Sequence, residues 1–215
     1  MGGSLGDLSV TEFGERLASS EPVPGGGSAS AIAASIAASL LGMVSRLSLD
    51  RPKYEPYRAT IDRALPVADQ LRARFIELAD EDAVAYAGYM DARKMPKETA
   101  DEQKARDDAL KAAARRSTDA PLETVRLCAR LMESIDSLAG RSNLNAASDL
   151  EVAAQLCNAA ARGAAANVLI NLPSVGDNRF AGGATAEVET HVHGIERQLL
   201  AVTQRVARGT LRNPE

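Results

Sequence analysis

A turn rich in proline and glycine, followed by a long run of small residues, constrains this chain more than any other feature. The turn, Pro22–Ser28, holds two prolines, which fix φ, and three consecutive glycines, which let the backbone approach a ligand or a neighbouring chain closely. We predict that Ser28 is the N-cap of the helix that follows. In that helix larger apolar residues recur every three or four positions among Ala, Ser and Gly, namely Ile32, Ile36, Leu40, Met43 and Leu47. This pattern predicts a narrow helix that other helices, including one from a second subunit, can approach closely.

The start of this helix is a candidate binding site. Amide groups of a first helical turn point outward along the helix axis, so an anion or a polar ring edge binds favourably beside them. The glycines Gly25, Gly26 and Gly27 would leave room for such a ligand. A glycine-rich cap on a tightly packed core helix explains the same residues, and three glycines before a helix do not decide between the two.

The composition indicates an all-α protein. Of the 215 residues 45% are hydrophobic, but only 3% are aromatic and none is Trp, so the core must be built from Ala, Leu, Val and Ile. Alanine favours helix over sheet, and no segment alternates β-branched with polar residues. We predict one domain over residues 1–215, with a core at about 8–208, folded as a bundle of long helices.

Charge and cysteine content exclude several classes of function. The formal net charge of −4 does not favour nucleic-acid binding, which needs a basic surface. Cys128 and Cys157 lie in apolar helical patterns and are expected to be buried free thiols in a reducing compartment. The small-residue run is too poor in large apolar residues, and ends too early at Arg46, to predict a membrane span. His191 and His193 are two positions apart, so on a helix their side chains point in different directions, and we expect no metal site there. We expect a cytoplasmic protein that does not bind membranes.

Local signals predict where helices begin and end. The pairs Ser9–Glu12 and Thr99–Glu102 have the spacing of capping boxes. Pro121 is expected to start a new helix, because proline disfavours the helix interior. Ser148 is expected to cap the helix after a polar loop, and Gly182–Gly183 to interrupt the last helix near its start.

Asp82 is the carboxylate whose position points most clearly to chemistry. It lies one turn after Leu78 and one turn before Tyr86, on a stripe that should face the core. A carboxylate there must be paired, hydrogen-bonded or protonated, and desolvation would raise its pKa towards the range that a general acid or base needs. Asp80 points elsewhere, so the two form no dyad. A bond from Asp82 to a neighbouring helix end or to an arginine is the alternative, which the pattern alone favours.

Three asparagines and an aspartate form further polar candidates. Asn167 and Asn171 are one turn apart on an otherwise apolar helix, where two amides could bind the polar edge of a heterocycle. Hydrogen bonding between helices explains them equally well. In the polar loop before that helix, capping accounts for Ser148 but leaves Asn143, near Asp149, unexplained.

Several of these motifs occur together in one order. They are Pro22–Ser28, Lys53–Tyr54, Asp82–Tyr86, Pro96–Thr99, Pro121–Leu122, Asn143–Asn145 with Ser148–Asp149, and Asn167–Asn171. Together they resemble the cyclodeaminase/cyclohydrolase family, which includes the C-terminal domain of formiminotransferase-cyclodeaminase and stand-alone methenyltetrahydrofolate cyclohydrolases. The resemblance runs from about Leu8 to Leu200, nearly the whole chain.

The resemblance implies an all-helical homodimer that binds folate in a cleft near the glycine loop and acts on the carbon that bridges N5 and N10 of tetrahydrofolate. It implies that Asp82 is catalytic. Lys53 would suit the carboxylates of the folate glutamate tail. By position, the other candidates for lining the cleft are Gly25, Gly26, Gly27, Ser28, Asn143, Asp149, Asn167 and Asn171. No metal and no cofactor besides the folate substrate are expected.

The choice of reaction stays open. The 215 residues contain no transferase domain to supply a formimino substrate, and Asn143–Asn145 looks like the stand-alone cyclohydrolases, so we favour methenyltetrahydrofolate cyclohydrolase. Asn167–Leu172 looks as much like the bifunctional enzyme, which keeps formiminotetrahydrofolate cyclodeaminase as the alternative. A helical oligomer that binds a folate or another heterocycle without turning it over is the second alternative.

Overall fold

The structure, a computed structural model, describes residues 3–214 and contains only helices and loops over that range. The prediction of an all-α bundle of long helices is confirmed. The α-helices are α1 (Val10–Leu17), α2 (Gly26–Leu49), α3 (Arg58–Arg93), α4 (Ala100–Leu138), α5 (Ala147–Val175) and α6 (Asn178–Arg208). Short 3₁₀ turns at Leu5–Asp7, Pro52–Tyr57 and Leu144–Ala146 precede α1, α3 and α5.

Helices α2 to α5 form the centre of the bundle, and short connections make consecutive helices antiparallel. Helix α2 packs against α3 and α5, while α6 covers α4 and α5. The close packing of α2 depends on its small residues. A Cβ atom at Gly163 of α5, for example, would overlap the hydroxyl of Ser30 on α2. The largest fully buried side chains come mainly from α3 and α4, and include Ile61, Leu71, Phe75, Leu78, Leu131 and Ile135.

The two faces of α2 differ in an unexpected way. Its buried positions are mostly small, such as Ala34, Ala37 and Ala38, although Leu41 and Val44 are also buried. Three of its larger apolar residues point outward instead. Ile36 is 50% exposed, Met43 37% and Leu47 43%. The regular apolar spacing seen in the sequence therefore belongs largely to the outer surface of the bundle. Of the described helices, α2 has the length and apolar composition of a membrane span, but most of that stretch is buried within the bundle.

Both predicted capping boxes are confirmed. The Ser9 hydroxyl accepts a bond from the Glu12 amide, and the Glu12 carboxylate accepts one from the Ser9 amide. Thr99 and Glu102 make the same reciprocal pair at the start of α4. These caps depend only on residues three apart in the chain, which is why the local sequence suffices to predict them.

The prediction that Pro121 starts a new helix is wrong, since α4 continues through it. Proline lacks the N–H that would bond the carbonyl four residues earlier, here that of Ser117. The Asn171 side chain on α5 replaces the missing hydrogen bond, because its Nδ2 donates to the Ser117 carbonyl oxygen at 2.8 Å. The neighbouring helix thus compensates for the lost bond, and the helix is not interrupted.

Three other predicted helix boundaries are also wrong. Helix α2 begins at Gly26 with Gly25 as its N-cap, so Ser28 lies in the first turn and does not cap the helix. Helix α5 begins before Ser148, with Ala146 as its N-cap. Helix α6 continues through Gly182–Gly183, because packing on α4 and α5 outweighs the roughly 1 kcal/mol that each glycine costs a helix.

Candidate active site

The candidate site lies where α2 begins. Its first turn packs against Ala79 and Asp82 of α3 and beside Asn167 of α5. Beyond this level α3 continues to Arg93 and α5 to Val175. The first amides of α2 have no acceptor within their own helix, so they face the space between these extended helices. The Ser28 amide also hydrogen-bonds the Asp82 carboxyl group, while Gly26 begins the helix at the glycine loop. That a ligand binds beside this turn stays a prediction.

Asp82 lies directly against the first turn of α2. The Ser28 hydroxyl is 2.9 Å from Asp82 Oδ2 and 2.9 Å from the Ala79 carbonyl oxygen. On the other side of the carboxyl group, a Cβ atom at Gly27 would lie 2.6 Å from Asp82 Cγ and 2.7 Å from Oδ2. No side chain fits between this turn and the carboxyl group. The glycine at position 27 is therefore required by the position of Asp82.

Burial governs the electrostatics of Asp82. Desolvation raises the pKa of its carboxyl group, and hydrogen bonds with Ser28 partly oppose this effect. Within residues 3–214 the hydrogen-bond partner of Asp82 is a neutral serine, and no arginine forms an ion pair with it. The arginine alternative is thus wrong for the described residues, whereas a bond to a neighbouring helix end is present. Asp80 points elsewhere and accepts bonds from Ser4 and Leu5.

The two asparagines of α5 have different surroundings. Asn167 Nδ2 donates to the Gly163 carbonyl at 2.8 Å, and the same side chain lies against Gly26 in the glycine loop. Asn171 uses its Nδ2 to bond Ser117 of α4. The structure therefore brings Asn167 to the glycine loop, while Asn171 makes the helix-to-helix bond that the sequence left open.

Lys53, Asn143 and Asp149 lie at the opposite end of α2. This helix has 24 residues, and at 1.5 Å per residue the two ends are about 35 Å apart. Lys53 is exposed, with its Nζ 5.6 Å from the centre of the Tyr54 ring. Asp149 is in the first turn of α5, where the helix dipole stabilises a negative charge. Within one chain the structure does not bring these three residues to Asp82.

Asn143 has a structural explanation. It is buried, and its backbone amide donates to the Ser48 hydroxyl at 2.8 Å. Its side-chain oxygen accepts a bond from the Asn145 amide at 3.1 Å and from the Tyr54 hydroxyl at 3.4 Å. These bonds hold the Leu144–Ala146 turn against the end of α2. They account for the asparagine that capping of α5 leaves unexplained.

Sequence reasoning missed the contact between Ser28 and Asp82. It treated Ser28 as the N-cap of α2. A glycine can also occupy the N-cap position, and the helix then begins before the serine. Gly25 does so here. With the helix starting earlier, position 28 falls in the first turn and faces α3. The signal available in the sequence was the number of glycines before the serine.

The assembled site can exchange protons and bind a polar ring. Asp82 has a raised pKa and stands beside the first turn of α2, and the Asn167 amide lies against Gly26 in the same turn. A carboxyl group with a raised pKa can serve as a general acid or base. Backbone amides at the start of a helix and an amide side chain suit the polar edge of a heterocycle.

Comparison with known proteins identifies the family. Residues 9–190 match the family described as formiminotransferase-cyclodeaminase. The chain is 34% identical over 184 residues to the methenyltetrahydrofolate cyclohydrolase of Methylorubrum extorquens, covering 86% of this chain and 88% of that protein. It is also 34% identical over 177 residues to the formimidoyltransferase-cyclodeaminase of Mus musculus, covering 82% of this chain and 33% of that longer protein.

A solved structure supports the same assignment. The crystal structure of formiminotetrahydrofolate cyclodeaminase from Thermotoga maritima matches with a TM-score of 0.85 and 27% sequence identity, over 95% of this chain and 98% of that chain. The resemblance carried by the sequence motifs is therefore confirmed over most of the chain. The chain belongs to the formiminotransferase-cyclodeaminase family.

Proposed function

We propose that this protein is an enzyme of tetrahydrofolate one-carbon metabolism, a methenyltetrahydrofolate cyclohydrolase that converts 5,10-methenyltetrahydrofolate and water to 10-formyltetrahydrofolate. The observation that carries the proposal is a part-buried carboxyl group, Asp82, packed against the first turn of α2, where burial raises its pKa. The relative from Methylorubrum extorquens, matched over most of both chains, bears the name of this activity.

The proposed mechanism uses Asp82 twice. The bridging carbon of the substrate is an amidinium-like cation, which the ionised carboxylate stabilises. Water attacks this carbon, and Asp82 takes one of its protons as general base. The C–N5 bond then breaks, its electron pair goes to N5, and Asp82 returns the proton to N5. The remaining hydroxyl proton leaves to solvent as the formyl group forms on N10.

Formiminotetrahydrofolate cyclodeaminase is the alternative reaction. Here N10 attacks the formimino carbon, and the proton of N10 passes to the former imine nitrogen, which becomes an amino group. Protonated Asp82 donates its proton to this amino group, the C–N bond breaks with its electron pair on nitrogen, and ammonia leaves to give 5,10-methenyltetrahydrofolate. The observation that favours this alternative is the likeness to the Thermotoga maritima protein, whose name is that of the deaminase. One carboxyl group with a raised pKa suits both reactions, because each needs a proton moved at the same carbon.

An absorbance assay, followed if necessary by an ammonia assay, separates these reactions. The loss of 5,10-methenyltetrahydrofolate absorbance is followed with and without purified protein, in a buffer where spontaneous hydrolysis is slow. Acceleration by the protein supports the cyclohydrolase. Without acceleration, release of ammonia from 5-formiminotetrahydrofolate supports the deaminase. Saturable folate binding without either reaction would support the second alternative, a protein that binds folate without turning it over.

The proposal includes the cellular setting. Cys128 and Cys157 are free and buried, with the Cys157 thiol 3.2 Å from the Cys128 carbonyl. Free thiols are typical of a reducing compartment, which supports a cytoplasmic location. In the proposed mechanism the protein supplies only proton transfer and charge stabilisation by Asp82, so we propose no metal and no cofactor beyond the folate substrate.

We also propose that the protein is a homodimer that pairs through the outer face of α2. Ile36, Met43 and Leu47 are exposed there, and Val152 of the adjacent α5 is 49% exposed. Contiguous exposed apolar residues mark interaction surfaces. A two-fold axis near the middle of α2 makes the paired helices antiparallel. The glycine-loop end of each α2 would then approach the far end of its partner, where Lys53 lies.

The double substitution Ile36→Glu and Met43→Glu tests this interface. The double substitution places four carboxylates at a two-fold interface, where they would repel one another and lose their solvation, so the dimer should dissociate. Light scattering coupled to gel filtration would then report the mass of a monomer, about half that of the unsubstituted protein. Leu200→Glu, an exposed position on α6, is the control and should stay dimeric. A double variant that keeps the unsubstituted mass, or an unsubstituted protein that is already monomeric, would contradict the proposal.

A further inference from the structure

The hydroxyl group of Ser28 faces two acceptors and has a single proton. It lies 2.9 Å from Asp82 Oδ2 and 2.9 Å from the Ala79 carbonyl oxygen, and Ser28 is fully buried. A hydroxyl donates one hydrogen bond but can accept others. Ser28 can therefore donate to only one of its two acceptors at any moment.

The protonation state of Asp82 decides which acceptor receives this proton. When Asp82 is ionised, the hydroxyl donates to the charged Oδ2, and the Ala79 carbonyl keeps its own bond within α3. When Asp82 is protonated on Oδ2, the carboxyl group becomes the donor. The Ser28 oxygen then accepts from Asp82, and its proton turns to the Ala79 carbonyl. All groups are satisfied in both states without movement of a heavy atom.

We propose that Ser28 is a positioning residue, which holds the carboxyl group of Asp82 in one place in both protonation states by redirecting its single hydroxyl proton. This role rests on the proposed acid–base function of Asp82. In that function one carboxyl group must receive a proton in one step and deliver it in the next. A partner that could only donate would lose its bond in the protonated state and release the group.

The rest of the surroundings of Asp82 leaves this task to Ser28. On α2 the residues before Arg46 carry no charge, and Gly27 offers only backbone to the carboxyl group. The Ser28 backbone amide also bonds the carboxyl group, but it can only donate, so it favours the ionised state alone. On α3, Asp80 bonds the N-terminal segment, while Glu81 is paired with Arg74. On α5 the residues at this level are Asn167 and Asn171, both neutral. On α4, Arg116 and Asp119 line a groove with Asp80 and Glu81, and Asp82 is not part of its lining.

Ser35 is a natural control within the same pair of helices. Its hydroxyl donates from α2 to the Arg72 carbonyl of α3 at 2.9 Å, as the Ser28 hydroxyl can to that of Ala79. Both serines are buried, but the hydroxyl of Ser35 has no carboxyl group in reach among its described partners. Loss of either hydroxyl removes one bond between α2 and α3. Only the loss of Ser28 changes the surroundings of Asp82.

The experiment compares Ser28→Ala with Ser35→Ala. Both variants should lose similar thermal stability. Ser28→Ala should lower kcat roughly tenfold to a hundredfold, the range expected when a catalytic group loses its alignment, with little change in KM. Since the ionised carboxylate loses the stronger bond, the acidic limb of its pH profile should move to higher pH. Ser35→Ala should keep both the rate and the profile.

A second readout does not need turnover. In protein labelled with ¹³C-aspartate, the carboxyl signal that disappears in Asp82→Asn is titrated by NMR. Its midpoint should move to higher pH in Ser28→Ala and stay in place in Ser35→Ala. An unsubstituted protein without turnover would overturn the proposed function, while this titration still tests Ser28. If Ser28→Ala matches Ser35→Ala in rate, pH profile and NMR midpoint, Ser28 is an ordinary packing residue and the inference is wrong.

Discussion

Asp82→Asn is expected to lower kcat for the one-carbon folate substrate by about 10²-fold to 10⁴-fold, the usual contribution of a general acid or base. The amide keeps the size and the hydrogen bond with Ser28 but cannot take or deliver a proton. KM should change little, because the glycine loop and Asn167 remain in place. The measurement is the methenyltetrahydrofolate absorbance assay across substrate concentrations. Near-normal kcat in this variant would remove Asp82 from the mechanism.

The stability of the same variant provides the control for folding. Burial raises the pKa of Asp82 above its value in the unfolded chain. The folded state therefore binds the proton more tightly, and the carboxylate costs stability as the pH rises through the folded-state pKa. Asp82→Asn should have a higher Tm than the unsubstituted protein at pH 8, because the neutral amide avoids the cost of a buried charge. The difference should shrink as the pH falls. A lower Tm at every pH would mean that Asp82 is structural.

Gly27→Ala is expected to reduce kcat by roughly 10²-fold, because the new methyl group would occupy the space of the Asp82 carboxyl group. Its Cβ would lie 2.6 Å from Asp82 Cγ, so the carboxyl group or the start of α2 must move. A displacement of about 1 Å at a catalytic group has effects of this size. Steady-state kinetics and the Asp82 NMR titration would both report the displacement.

Gly194→Ala is the matched control for this substitution. Gly194 lies in the interior of α6, and a Cβ atom there would meet nothing within 4 Å. Alanine in an open helical position stabilises a protein by up to about 1 kcal/mol, so this variant should be slightly more stable and fully active. Gly27→Ala should lose stability instead. If Gly27→Ala kept the rate and the stability of the unsubstituted protein, the close contact between residue 27 and Asp82 would not matter for function.

The sequence alone was sufficient for features that depend on neighbours within a few residues. The capping boxes at Ser9–Glu12 and Thr99–Glu102, the long helices and the all-α class follow from such local signals. The helical stripe around Asp82 also follows from spacing along one helix. It predicts a stripe that faces the core, which holds at Leu78 but not at Tyr86, which is 39% exposed. Asp82 lies between them, part-buried, and burial raises its pKa as expected. The family resemblance likewise depends on motifs read along the chain.

The tertiary structure decided what depends on residues distant in sequence. Pro121 stays inside α4 because Asn171 bonds the Ser117 carbonyl 54 positions away. Whether Ser28 caps a helix or holds Asp82 depends on how α2 packs against α3. Ile36, Met43 and Leu47 lie on the outer face of α2, because mostly small residues on its inner face allow close approach to α3 and α5. The periodicity of one helix predicts that it has two faces, but only the space left by its neighbours determines which face turns inward.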